Sequence, residues 1–282
     1  MKSALRRNIA LAVAAFCYAL IGIFVKNIGG QIPIMTVSFF RMFIGTLFLL
    51  LITPFFDKRV FSKQALDVKD NLVIGFLLAV VVSTFNASFL YASISRINLI
   101  ESSYIVFTVI FAYVFLKERL GTRECIAAII GILGIILLHP DGNMKIVGFN
   151  LAISSGIAYS LSLVYIRKQE KHHTLGTVFW YMAFATLFLL PFPFIYGVGD
   201  IQHHLWSLIG IGVLSTGLAY LLLNYALEVL TADFTATFLI IFIPIIAIIL
   251  AHTVLHETVT GLELVGGGML ALAGIILEWH RS

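Results

Sequence analysis

The sequence predicts an all-α integral membrane protein: ten transmembrane helices in two inverted five-helix repeats, with N- and C-termini cytoplasmic. Three observations lead there. Of the 282 residues, 60% are hydrophobic and only 11% charged, against about 25% charged in a soluble domain, and the mean hydropathy is +1.04. The apolar residues form long runs without strand-like alternation, and in a bilayer such runs must satisfy their own backbone groups as helices. Finally, positive charge segregates to alternate loops, and segments of the first half recur in the second.

The expected spans are 8–28, 34–55, 71–94, 98–117 and 122–139, then 147–166, 174–197, 204–229, 234–254 and 261–279. Each is close to the ~20 residues that cross the hydrocarbon. The first follows a basic, small-residue start, and its apolar run continues past any "AVAA" cleavage point, so it reads as an uncleaved helix. "IGGQIP" separates the first pair, "DKRVFSKQALDVKD" the second and third, "HPDGNMK" the fifth and sixth, and "RKQEKHH" the sixth and seventh. Between the third and fourth, only Arg96, Asn98 and Glu101 in "SISRINLIE" interrupt the run.

Charge tests the count. With the N-terminus inside, Lys2, Arg6, Arg7, Lys58, Arg59, Lys63, Lys69, Lys117, Arg119, Arg123, Arg167, Lys168, Lys171 and Arg281 are all cytoplasmic. Only Arg96 and Lys145 fall outside, and Lys26 and Arg41 lie within spans. The net charge of +4 therefore reflects short basic loops rather than a nucleic-acid surface. Cys17 and Cys125 both lie in apolar runs, which argues against a disulfide or a zinc site.

Two units, residues 8–140 and 146–280, repeat one pattern. "FAYVFLKERLGTREC" (111–125) lies over "LAHTVLHETVTGLEL" (250–264), matching Glu118 to Glu257 and Glu124 to Glu263. "CYALIGIFVK" (17–26) lies over "AYSLSLVYIR" (158–167), matching Tyr18 to Tyr159 and Lys26 to Arg167. "SFLYAS" (88–93) resembles "LLNYAL" (222–227), with Tyr91 over Tyr225. Five helices per unit is odd, so the second unit enters the membrane from the opposite side. That inverted arrangement is common in secondary transporters. In this register His252 stands over Tyr113 and His256 over Lys117. The metal-like spacing of "HTVLHE" is therefore no part of the repeated design, and neither metal nor cofactor is expected.

These features together resemble the EamA-type transporters of the drug/metabolite transporter superfamily. The second half carries the likeness best, through "STGLAYLLLNYALEVLTA" (215–232) and "IPIIAIILAHTVLHE" (243–257), while "SFFRMFIG" (38–45) resembles the family's second helix with its arginine. The first half departs: Ile105 stands where the second has Pro244, and 27 residues separate Tyr91 from Glu118 where 32 separate Tyr225 from Glu257. The resemblance implies a central cavity between the first, third and fourth helices of each half, and movement of small metabolites.

Ionisable groups inside spans are functional candidates by default. Arg41 reads either as a fork for a substrate carboxylate or phosphate, or as a tie to helix-end carbonyls or to Glu101. Glu101 is read as a proton-coupling carboxylate, an ion-pair partner, or an interfacial residue, the last being favoured. Lys26 is placed to couple, to pair, or to snorkel to the headgroups. Asn86, Asn224, Tyr18, Tyr91, Tyr159 and Tyr220 are candidates to line the cavity, or else pack between helices. Pro244 is a candidate gating kink. Ser215 and Thr216 are read as bonding their own helix.

A secondary active transporter of a small metabolite, an amino acid or similar organic solute, follows as the leading expectation, working as an exporter by alternating access. Its partners would be that solute, the bilayer, and a proton or substrate gradient, since no GxxxxGK[ST] motif supplies ATP drive. Uptake or exchange of a nucleoside-type cofactor, or efflux of hydrophobic drugs, is the alternative, and a lipid-modifying intramembrane enzyme comes third. The expected location is the cell membrane. The oligomeric state is left open.

Overall fold

The structure, a computed structural model, describes residues 2–56, 60–62, 65–139, 144–168, 174–227, 230 and 232–278. Lys58, Arg59, Lys63, Lys171, His172, His173 and Arg281 of the expected loops and tail lie outside the described residues. Among the described residues every regular element is helical. The first half holds α1 (Lys2–Ile28), α2 (Ile34–Phe56), α3 (Val68–Ser88), α4 (Ile94–Glu101), α5 (Tyr104–Leu116) and α6 (Thr122–Leu137). The second holds α7 (Ile146–Lys168), α8 (Leu175–Leu189), α9 (Pro191–Tyr196) and α10 (Ile201–Ile209). It continues through a π-helical stretch (Gly210–Leu218) into α11 (Ala219–Leu227), then α12 (Ala232–Leu255) and α13 (Gly261–Glu278).

Eight helical segments are long and apolar enough to cross a membrane, with α4–α5, α8–α9 and α10–α11 each counting as one, and α13 is a shorter apolar helix. Large apolar side chains cover the outside: Phe55 and Phe194 are 83% exposed and Trp206 is 81% exposed. Such a surface suits lipid rather than water.

The helix ends follow local chemistry. Asp67 caps α3, the Thr174–Thr177 pair forms a capping box on α8, and Asp200 caps α10. The exposed Asp200 carboxyl is held below its usual range, chiefly by hydrogen bonding to His203. Thr260 and Glu263 exchange hydrogen bonds at the start of α13. At the turn after α1, Gly29 and Gly30 adopt φ of 57° and 82°, a region that favours glycine.

The third and fourth spans divide elsewhere than expected. "SRINLIE" is not the break; it is α4, and the break is the turn Phe89–Ser93. Ser93 caps α4 through the Arg96 N–H, and Glu257, from the far half, accepts the N–H groups of Ile94 at 2.9 and 3.1 Å and of Ser95 at 3.4 Å. A carboxylate at a helix N-terminus is favoured by the unsatisfied donors and the dipole. Arg96 is likewise not in an outer loop. It is buried and paired with Glu263 at 2.6 Å, which removes the cost of an isolated buried charge. Glu257→Ala should lower the stability of the solubilised protein by about 1–2 kcal/mol, with Glu257→Gln keeping part of it, as read by thermal unfolding.

The halves interlock. α1 packs on α11 and α12, α2 on α8, and α7 on α3, α4 and α5. α6 and α13 lie against each other, brought close by Gly134 and Gly266. One core cluster gathers Phe89, Ile94, Ile97 and Ile100 with Ala247 and Leu270. A second joins Met42 and Leu78 to Val178 and Met182.

Candidate functional site

α2 carries Arg41 into the interior, where the residue is only 6% exposed. Its Nη1 donates to Asn86 Oδ1 of α3 at 2.8 Å, and its Nε donates to Thr216 Oγ1 of the π-helical stretch at 3.1 Å. Asn86 is held in turn, donating from Nδ2 to Ser38 Oγ at 3.0 Å. Thr216 donates to the Ile211 carbonyl, five residues back, at 2.8 Å. That reach is the π register itself, a geometry that recurs at functional sites. The guanidinium is thus fixed by neutral partners from both halves. Among the described residues no carboxylate is in ion-pair contact with it.

Close approach of α2 depends on small residues opposite. A Cβ on Gly212 would lie 2.5 Å from Ile44 Cβ, and one on Gly45 would lie 2.9 Å from Thr216 Cγ2 and 3.1 Å from the Gly212 carbonyl oxygen. The glycine-rich "GIGVLSTGL" therefore both winds as a π-helix and lets Thr216 reach Arg41. Thr216→Val should leave Nε without an acceptor and cost about 1–3 kcal/mol, whereas Thr216→Ser keeps the bond. Thermal unfolding of the two variants side by side reads the difference.

Aromatic pairs join the helices of this region. Tyr220 of α11 meets Tyr18 of α1 edge-on at 5.8 Å and Tyr181 of α8 at 6.4 Å. Tyr159 of α7 meets Tyr104 of α5 edge-on at 4.9 Å. Arg41 acts electrostatically on Tyr18 and Tyr220, and Glu101 on Tyr104 and Tyr159, so these groups share one neighbourhood. Such rings offer apolar faces with polar tips.

Glu101 falls within an apolar span rather than at its end. It is the eighth residue of the apolar span Ile94–Leu116, at the end of α4, and its Oε1 accepts from Ser155 Oγ of α7 at 2.9 Å. Glu101 and Arg41 attract each other at a distance without contact.

Other candidates lie apart. Tyr91 is past the end of α3, in the turn to α4, packed against Gly148; its carbonyl accepts from the Lys145 N–H. Asn224 spends its side chain on its own helix, donating to the Tyr220 carbonyl at 2.9 Å. Lys26, at the end of α1, is attracted by the Glu257 carboxylate. Pro244 sits buried inside α12. His252 turns to the Glu257 carbonyl at 3.1 Å, and among the described residues no three His, Cys, Asp or Glu side chains group as metal ligands. Sequence reasoning missed Tyr104, Tyr181 and Ser155, and it read Thr216 as bonding its own helix, as it does at Ile211, without its contact to Arg41. Of these only Thr216 carried a signal, its glycine-rich setting.

A model of the EamA-like transporter family matches residues 6–139 and again residues 146–278. The chain is 26% identical to an uncharacterized transporter of Archaeoglobus fulgidus, over 96% of both chains. It is 22% identical to the uncharacterized transporter YoaV of Bacillus subtilis, over 88% of both. It is 24% identical to the pseudopaline exporter CntI of Pseudomonas aeruginosa, over 75% of both. A solved crystal structure shares the fold, with a TM-score of 0.69 over 97% of this chain and 96% of that one at 12% identity. With its apolar helices and a family match over both halves, this chain is a multi-pass protein of the cell membrane and belongs to the EamA-like transporter family.

Proposed function

We propose that this protein is a secondary active transporter, not an enzyme, and exports a small organic solute bearing a carboxylate, an amino acid or similar compound. One observation carries the reading. Arg41 is a buried, rigidly held cation whose protein partners are all neutral. A buried charge without a counter-ion is costly, and a guanidinium suits a planar anion. The missing anion is the carboxylate of the solute, with Tyr18, Tyr159 and Tyr220 around its body and Asn86 positioning the arginine. Export as the direction is favoured by the likeness to CntI, which is named as an exporter.

Alternating access would rest on ten crossings, with the 16-residue α6 and the 18-residue α13 as matching fifth helices of two inverted units, 8–140 and 146–280. Local geometry supports this. Lys117 and His256, which stand over each other in the repeat, have φ of 56° and 55°. The next residues, Glu118 and Glu257, donate their N–H groups to the matching Ala112 and Ala251 carbonyls at 3.4 and 3.1 Å. Arg167 pairs with Glu118 at 3.0 Å where the equivalent Lys26 is drawn to Glu257. Both termini would then be cytoplasmic, and Pro244 a point where α12 bends.

The tyrosines give a second reading some footing, since their faces also suit a flat nucleoside-type or drug-like ring. A thermal-stabilisation screen separates the two. The wild type should be stabilised by carboxylates and not by the matching amides, and Arg41→Ala should lose that response. Stabilisation by uncharged aromatic compounds alone, unaffected by Arg41→Ala, would replace the first reading with the second.

A further inference from the structure

A second incompletely satisfied group lies at the junction of α4 and α5. α4 stops at Glu101 and α5 starts at Tyr104, so Ser102 and Ser103 interrupt an otherwise continuous apolar span. At this interruption Glu101 Oε2 and Ser103 Oγ are both buried and without a hydrogen-bond partner. Oε1 has only Ser155 Oγ, whose single proton is shared in reach with the Val81 carbonyl at 3.2 Å. α7 is pressed against the gap because residue 156 is glycine. A Cβ there would lie 3.1 Å from Ser103 Oγ and 3.5 Å from the Glu101 carbonyl oxygen. Among the described residues, the charged and titratable groups acting on Glu101 are Arg41 from α2, Tyr104 on α5 and Tyr159 from α7. Arg96, on α4 itself, is already paired with Glu263 of α13.

A bare carboxylate oxygen at this depth must be neutralised. Two hydroxyls and one carboxylate are too few oxygens for a metal cation, which needs a fuller shell. A proton or an ammonium group meets the need with one bond. Resting on the proposed transport reading, we infer that Arg41 and Glu101 are the two poles of a zwitterion site, at which a proton and the solute's ammonium group compete for Glu101.

Competition fixes the coupling. The solute arrives with its carboxylate on Arg41 and its ammonium on Glu101, and leaves both groups charged on release. Glu101 then takes up a proton from the release side, returns neutral, and gives the proton up on the loading side. One proton moves opposite to one zwitterion, so an inward proton gradient drives export. A monoanion without an ammonium group would leave Glu101 protonated and would gain nothing from the gradient.

The test uses the purified protein in liposomes, with the common L-amino acids as probes, each beside its α-hydroxy acid analogue. An imposed pH gradient should drive accumulation of an amino acid and not of its analogue. Glu101→Gln should lose that drive and reduce the preference for the amino acid by about tenfold. Gradient-driven accumulation that survives Glu101→Gln overturns the inference, as does equal drive on the hydroxy acid. If no probe moves through the wild type, the transport reading fails, and infrared titration decides the proton site alone. A protonated-carboxyl stretch that varies with pH, is absent from Glu101→Gln and shifts in frequency in Ser155→Ala upholds Glu101 as the proton site. No pH-dependent band sinks it.

Discussion

Arg41→Ala should weaken solute binding and transport by at least about thirtyfold, while the protein still folds. Removing one partner of a buried charged pair costs about 2–5 kcal/mol, and each 1.4 kcal/mol is a factor of ten in affinity. The protein's own loss is smaller. Asn86 Oδ1 would lose its donor, costing about 1–3 kcal/mol, and its Nδ2 keeps Ser38. Arg41→Lys separates charge from shape. It retains the cation but cannot donate to Asn86 and Thr216 and still present a planar face to a carboxylate. The expected order of binding affinity is therefore Arg, then Lys, then Ala. If Lys at 41 binds as well as Arg, the fork geometry is irrelevant and only the charge matters. A gradual loss in unfolding temperature that tracks the loss in binding would instead make Arg41 a structural tie.

The second large effect is on assembly. Gly134→Leu should destabilise the protein by about 3 kcal/mol, the upper end for overpacking, because what the side chain meets is backbone. A Cβ on Gly134 would lie 2.8 Å from the Gly266 carbonyl oxygen, and one on Gly266 would lie 3.0 Å from that of Gly134. Neither helix can yield locally, so α6 and α13 must part. Gly268, two residues on, is the control: nothing lies within 4 Å of a Cβ there. Gly268→Ala should be neutral or slightly stabilising, since alanine favours helix over glycine by about 1 kcal/mol. The monodisperse fraction in detergent and the thermal midpoint read both variants. Equal effects at 134 and 268 would mean that the α6–α13 approach does not matter.

Most helix boundaries were legible because they are written in strong punctuation. "IGGQIP" ends α1 at Ile28, the residue expected, and α7 and α13 begin within a residue of theirs. The third–fourth break was not, for a physical reason. Phe89–Ser93 holds no proline, glycine or charge, and part of what caps the helix after it is Glu257, distant in sequence. A remote cap leaves no local trace. The same error put Glu101 near the end of a span and Arg96 in a loop, whereas Glu101 falls eighth in an apolar span and Arg96 is buried in α4. It also placed Tyr91 inside a helix.

For the site, a buried arginine and asparagine one helix apart were visible as polar residues out of place, and they are in contact. Asn224 looked the same in sequence and bonds its own backbone. A side chain's direction depends on helix phase, which the uniformly apolar surroundings do not reveal. Thr216 was hidden for a related reason. An α-helical reading sends its hydroxyl back three or four residues, whereas the π register sends it back five and leaves its oxygen open to Arg41.

The central claim is that a solute held at Arg41 is carried across the membrane. Counterflow tests it most directly. Liposomes containing the purified protein and loaded with an unlabelled amino acid are placed in a trace of the same compound, labelled. For at least one such compound the label should accumulate transiently inside, with the wild type and not with Arg41→Ala. Label that never exceeds its outside concentration for any amino acid or related carboxylate, or accumulation that Arg41→Ala leaves intact, would contradict it.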